Sequence, residues 1–250
     1  MRVHRTWAAA LLLAVALLTA GPADARRRHH RDSADAGTSG SFDYYLLSLS
    51  VAPSFCRMSP RNGALEECQA LTQEGFERTP LTVHGLWPNR ANVSVNQQPH
   101  DCGDAPLGQL PPALADDLRR YMPGGPRLQE HEWRTHGTCS GLPPAEYFGT
   151  AVRLAQGVDG IVGKLFRDGN AFGTAVRVAD LVSAVSARNP ALGGALVVDC
   201  RAPRGGGPTL IEEIRVTLSR SFELVPAASV GLGQNSGCRN GAGVLPRVAG

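Results

Sequence analysis

The sequence predicts an α+β fold: a central, mainly antiparallel sheet with flanking helices, stapled by disulfides. Three observations predict it. Strand-like and helix-like segments mix without the repeating βα period of a doubly wound sheet. Six cysteines follow a segment that reads as an export leader. The 250 residues, 42% of them hydrophobic and with 29 Gly and 18 Pro, suit one globular domain of ordinary size.

The leader comes first. Residues 8–20, AAALLLAVALLTA, form a sustained apolar run, shorter than the ~20 residues that span a bilayer. Arg2 and Arg5 precede it and Ala23-Asp24-Ala25 follows, an A-x-A cleavage pattern. Residues 1–25 therefore read as a secretory signal peptide, in preference to an uncleaved anchor. Residues 26–41, RRRHHRDSADAGTSGS, have no apolar periodicity and read as a disordered basic tail. The product is expected in an oxidising compartment, secreted or periplasmic, with no membrane contact once the leader is gone. Residues 42–250 are read as a single domain. Residues 1–41 hold six Arg and three Asp while the whole chain is +3, so the domain itself is neutral. Overall basicity is thus no argument for a nucleic-acid partner, which must be argued from the site.

Within the domain, FDYYLLSLSV (42–51) alternates Leu47, Leu49 and Val51 with serines and reads as a strand. A loop bearing Cys56 and Cys68 follows. Residues 80–87 give a second strand, ended by Pro88-Asn89, and residues 90–112 a long loop with Cys102. PPALADDLRRYM (111–122) opens a short helix with Pro in its first turn. RLQEHEWRTH (127–136) lacks breakers and reads as a helix stopped by Gly137. Pro143-Pro144 starts another helix, to about Gln156. The remainder reads as helix 174–187, a loop through Asn189-Pro190, and strands near 195–200 and 210–219. In the last strand Ile214, Val216 and Leu218 alternate with Arg215, Thr217 and Ser219, the pattern of a half-buried strand.

The six cysteines, Cys56, Cys68, Cys102, Cys139, Cys200 and Cys238, imply three disulfides, and spacing alone does not choose among their possible connectivities. No C-x-x-C pair is present, which weakens thioredoxin-like and zinc-ribbon readings. No GxxxxGK[ST] or GxGxxG signature calls for a nucleotide cofactor, and none is expected.

Chemistry concentrates in two segments. The domain has four histidines, His84, His100, His131 and His136, and three of them lie in LTVHGLWPN (81–89) and HEWRTHGTC (131–139). Two imidazoles facing one substrate can act as paired base and acid near neutral pH. On an α-helix Glu132 and His136 share a face, with Cys139 continuing the stripe. Spacing argues against the competing metal reading and makes it the weaker one. HExxH needs its second His at i+4, whereas here position 135 is Thr and the next His stands at i+5, about 140° round an α-helix. Trp87 alone reads as a core residue more readily than as a stacking platform, and Asn89 could bond a base edge. His100 carries no motif and reads as an exposed loop residue.

At these residues the sequence resembles the ribonuclease T2 family of secreted, metal-independent endoribonucleases. LTVHGLWPN is similar to the first segment that marks the family and HEWRTHGTC to the second. FDYYLLSLSVAPSFC resembles its opening strand, and the likeness covers about residues 42–240. The resemblance implies transesterification of single-stranded RNA: the 2′-OH attacks the adjacent phosphorus, the 5′-oxygen leaves, and a 2′,3′-cyclic phosphate forms that is later hydrolysed to a 3′-phosphate. It makes His136 the general base and His84 the acid. His131 would hold the phosphate, Glu132 would assist at the transition state, and Trp87 and Asn89 would receive the base. DNA lacks the attacking hydroxyl and is excluded as substrate. The implied disulfides are Cys102–Cys139, Cys200–Cys238 and Cys56–Cys68.

One departure matters. Where the family usually has Lys before the last His of the second segment, this chain has Thr135. The lysine stabilises charge on the phosphorane, and losing one such group can cost ~10²–10³ in rate. Arg134, one position early and about 100° away on a helix, is poorly placed to substitute. The expectation is a slower but active enzyme. The alternative is a catalytically weakened relative that binds RNA or a protein through the same fold, and a zinc hydrolase stands third. Nothing in the sequence asks for a second copy, so the chain is read as a monomer.

Overall fold

A computed structural model describes residues 37–248. The leader and residues 26–36 of the basic tail lie outside the described residues. Seven strands form one sheet: β1 (Tyr44–Ser50), β2 (Thr82–Asn89), β3 (Thr174–Arg177), β4 (Leu196–Arg201), β5 (Leu210–Leu218), β6 (Asn235–Ser236) and β7 (Ala242–Leu245). The main path is β2-β1-β5-β4-β6, antiparallel except for the β4/β6 pair. β7 joins β5 through Leu210–Val244 and carries β3 on its other side.

The two faces of the sheet do different things. Leu47, Leu49, Leu86, Val198, Ile214 and Val216 are fully buried on one face and form the main core. The helix Pro144–Val158 packs there because Phe148, Ala151, Val152 and Ala155 recur at helical spacing on one side. Each such Leu or Val contributes ~1.5–3 kcal/mol by leaving water. Tyr44, Leu46, Trp87, Asn89, Glu213 and Arg215 belong to the opposite face and line a cleft. The strand that reads as half-buried is therefore packed on the core on one side and faces the cleft on the other.

Two irregularities position the site. Between β1 and β2 the register slips: Ser48 pairs with Gly85 and Leu49 with Val83, leaving His84 as the extra residue of a β-bulge. A bulge re-aims the side chain it carries. The second lies where α-helix Gly125–Glu132 passes into a π turn, Trp133–Gly137, before one last helical turn, Thr138–Ser140.

Several local expectations are revised. Gly137 does not stop the helix; it continues buried beneath the Trp133 ring, and the stop is Gly141, which takes the left-handed conformation (φ 76°) open to glycine. Pro88 and Asn89 do not end β2 but pair with Tyr45 and Tyr44, which an edge strand tolerates because it has an unpaired side for proline. The segment between β1 and β2 is not an open loop but short helices, Ala52–Arg57, Pro60–Gly63, Glu66–Gln69 and Gln73–Arg78. The helix from Pro144 runs beyond Gln156, through a second π turn, to Asp168. Residues 174–177 are strand β3, paired with β7 and followed by helix Val178–Ser186. Asn189 caps a further helix, Pro190–Ala195, accepting the Leu192 N–H at 3.0 Å.

The cysteines pair as Cys56–Cys68, Cys102–Cys139 and Cys200–Cys238. Cys102–Cys139 ties the loop before Pro112 to the end of the π-containing helix, where the Asp101 N–H also donates to the Thr135 carbonyl at 2.9 Å. Among the described residues no helix is long and apolar enough to cross a membrane.

Candidate active site

β2 supplies His84 and Trp87, and the π-containing helix supplies His131, Glu132 and His136. The indole N–H of Trp87 donates to Glu132 Oε2 at 2.8 Å. Glu132 Oε1 lies 3.8 Å from His84 Nε2 and 4.0 Å from His131 Nε2. The Trp87 ring centre lies 5.0 Å from that of His84 and 5.3 Å from that of His136. Gly85 makes this approach possible: a Cβ there would fall 2.1 Å from both Glu132 Oε2 and Trp87 Nε1. Trp87, which alone reads as core and by the resemblance as a residue that receives a base, is half-buried and lines the cleft.

The π turn changes the geometry that α-helical spacing implies. Closing i→i+5 rather than i→i+4, it adds a residue to one turn and swings His136 back toward His131. The charge of His131 is accordingly felt at His136. Asn89 sits farther along β2, its amide donating to the Tyr44 hydroxyl at 3.3 Å, and both line the cleft. His100 is partly exposed, hydrogen-bonded to Asp101 at 3.0 Å, and lies at the cleft wall. Arg134 is exposed and Thr135 half-buried.

A second layer was not legible as a site. His84 Nδ1 meets Glu213 Oε1 at 2.5 Å. Arg215 donates from Nε to Glu213 Oε2 at 2.7 Å and from Nη2 to Asp199 Oδ2 at 3.2 Å. Asp199 in turn accepts from the Ser236 hydroxyl at 2.5 Å. The chain His84–Glu213–Arg215–Asp199–Ser236 crosses β2, β5, β4 and β6 on the cleft face. Alternation on 210–219 marks Arg215 as off the core, which from sequence reads as solvent. The only available signal was a Glu-Glu pair ahead of it, too common to single out.

Electrostatics set the two imidazoles apart. Burial works to lower His84, but the hydrogen bond and charge of Glu213 and the charge of Glu132 overcome it, so its pKa is raised. Burial also works to raise Glu213, yet the bond and charge of His84 and the charge of Arg215 hold its carboxyl down at about 2. His136 is lowered to about 3, by burial first and then by the charges of His131 and His84. Its Nδ1 is buried with no hydrogen-bond partner among the described residues, which leaves Nε2 to meet a substrate. Burial lifts Glu132 to about 7 against the opposing pull of His84 and Trp87. His131 is lowered by burial and by Arg134. The surroundings thus push the two imidazoles in opposite directions, His84 toward its charged form and His136 toward its neutral form. Among the described residues no three His, Cys, Asp or Glu side chains are grouped to hold a metal ion.

A disulfide-bonded α+β domain with oppositely poised histidines flanking a tryptophan has the makings of an acid–base enzyme. The chain matches the Ribonuclease T2 family over residues 42–227 and belongs to that family, which makes it an endoribonuclease. It is 31% identical to Ribonuclease I of Escherichia coli over 242 residues, covering 85% of this chain and 86% of that one. A probable ribonuclease of Haemophilus influenzae is 35% identical over 130 residues, 50% of this chain and 47% of that protein. Among solved structures, a variant of RNase MC1 in complex with 5′-GMP superposes with a TM-score of 0.64 at 20% identity, over 82% of this chain and all of that one. The self-incompatibility associated SF11-RNase of Nicotiana alata does so with a TM-score of 0.61 at 18% identity, over 83% of this chain and 100% of that one. These two share the fold.

Proposed function

We propose that this protein is an exported endoribonuclease that cleaves single-stranded RNA by metal-independent transesterification, with residues 42–250 as its one catalytic domain. The observation that carries the reading is the placement of His84 and His136 with their ring centres 5.0 and 5.3 Å from that of Trp87, in surroundings that favour the charged form of the first and the neutral form of the second. His136 Nε2 takes the proton of the ribose 2′-OH as that oxygen attacks phosphorus. The bond from phosphorus to the 5′-oxygen breaks, and His84 Nε2 gives its proton to the departing oxygen. The 2′,3′-cyclic phosphate is then opened by water with the roles exchanged: His84 accepts the water proton, and His136 returns one to the 2′-oxygen, leaving a 3′-phosphate.

His131, the most exposed of the three, would meet the phosphate. Glu132, lifted to about 7, would stabilise the transition state with a carboxyl on the edge of ionisation. Trp87 and Asn89 would receive a base, the first by stacking and the second through its amide. Three disulfides and the leader at residues 1–25 support export, to a periplasm or beyond the cell. A monomer suffices, since every group named belongs to one chain.

The test is product analysis on single-stranded RNA in EDTA, using the mature protein and a His136→Ala control. Cyclic-phosphate ends are expected, and they should vanish in the control while RNA affinity persists. Activity abolished by the chelator would favour a metal hydrolase instead. No cleavage at any pH would favour an RNA-binding relative.

A further inference from the structure

The cleft is larger than an ordinary small-molecule site. Its volume is about 1860 Å³, against the ~300–1,000 Å³ usual for such sites. Its walls also depart from the charge of the domain. Residues 42–250 are neutral, yet eight arginines and only four glutamates line the cleft.

Away from His84 and His136, one arm of the cleft passes Glu213 and Glu212 and reaches Met58. Three arginines from separate segments line it, Arg61 in the helix Pro60–Gly63, Arg201 at the end of β4, and Arg204 in the loop that follows, with Glu66 and Glu67 of the next short helix in the same wall. The arm is built rather than incidental. The Arg204 N–H donates to the Met58 carbonyl at 3.2 Å, seating the loop on the segment that Cys56–Cys68 fastens. Arg201 lies 2.9 Å from Glu212 and is neutralised. Arg61 and Arg204 are exposed, and among the described residues their guanidinium groups make no ion pair or hydrogen bond. A free guanidinium presents a planar fork that matches a phosphate. Phe55, half-exposed in the same wall, offers an apolar face to a base.

We propose that this arm is a subsite for the phosphodiester backbone of RNA lying beyond the two nucleotides at the scissile bond. The enzyme would then favour chains of several nucleotides over dinucleotides. The proposal rests on the ribonuclease reading above and names where its substrate continues.

The experiment compares the mature wild type with Arg61→Ala/Arg204→Ala on two substrates, a dinucleoside monophosphate and an RNA of about ten nucleotides. The double variant should lose ~10-fold in kcat/KM on the longer RNA and nothing on the dinucleotide. The slope of log kcat/KM against log salt on the longer RNA should become shallower by ~1.4, about 0.7 for each phosphate contact removed. Affinity for an uncleavable 2′-O-methyl oligonucleotide of the same length, read by fluorescence anisotropy, should fall in parallel. Equal losses on both substrates, or unchanged binding of the uncleavable oligonucleotide, would overturn the proposal. A wild type that cleaves neither substrate would count against the ribonuclease reading instead, and the anisotropy comparison would still decide the arm. Arg61→Glu/Arg204→Glu should deepen every loss if the contacts are to phosphate.

Discussion

His84 Nδ1 and Glu213 Oε1 stand 2.5 Å apart, so a carboxylate from β5 holds the outer nitrogen of the bulged histidine on β2. The bond orients the ring and favours its charged form, with Arg215 keeping the carboxylate in place. Glu213→Gln retains an acceptor at the same reach but removes the charge. The alkaline limb of the pH–rate profile, set by the proposed acid, should therefore move to lower pH. Turnover near neutrality should drop ~10–100-fold, the usual cost of losing a group that holds a reacting one. KM should change little. A pH–kcat profile of the variant checks this, and an unmoved alkaline limb would show that Glu213 is structural only.

Gly85→Ala tests the closeness of the two proposed catalytic segments. The new methyl would collide with the buried Glu132 carboxylate and the half-buried Trp87 indole. Overpacking of this kind costs ~1–3 kcal/mol. A lowered Tm accompanied by loss of activity is expected, because the bond between Trp87 and Glu132 must open to make room. Calorimetry with an RNA cleavage assay measures both.

Thr135→Lys asks whether the chain runs below its capacity. Arg215 is near the site but is bound by Glu213 and Asp199, so it has little charge to spare for a phosphorane. A lysine at 135 should raise kcat ~10- to 100-fold by supplying that charge. Unchanged or lower turnover would mean that the cation is not limiting.

The same ionisations fix how stability depends on pH. His136, low in the folded state, stays neutral where the unfolded chain takes a proton, so it destabilises the fold as pH drops below 6.5 toward about 3. Glu213 adds to that loss between 4.5 and about 2. Glu132 acts oppositely: raised from 4.5 to about 7, it contributes stability that is lost as pH rises through that window. His84, also raised, loses its contribution as pH rises above 6.5. The expected Tm profile is a plateau between pH 4.5 and 6.5 with a fall on either side, steeper toward acid. In His136→Gln the acid fall should soften.

Local patterning carried the sequence reading a long way where burial and chemistry agree. β1 is legible because Leu47 and Leu49 alternate with serines, and the helix from Pro144 because its apolar residues recur at helical spacing. His84, Glu132 and His136 are legible because polar side chains in dense segments have no bland explanation. Glu213 and Arg215 escape for the opposite reason, since charges on the off-core side of a strand look like an ordinary wet face. Only the sheet order, which sets β5 two strands from β2 with β1 between, turns that face toward His84. The bulge and the π turn escape too, because each is an extra residue whose signal lies in the pairing partner. Thr174–Arg177 reads as helix because it runs directly into one, and its strand character comes from β7, distant in sequence.

The π turn also bears on how far the second segment can travel. Its five residues close a wider loop than an α-helix allows, and Cys102–Cys139 clamps the helix just beyond them. Copied onto a straight helix in another scaffold, the same letters would splay His131 and His136 to different sides and aim only one of them at a substrate. The motif is therefore not portable by spelling: its spacing has meaning only with the slack turn and the clamp that come with it.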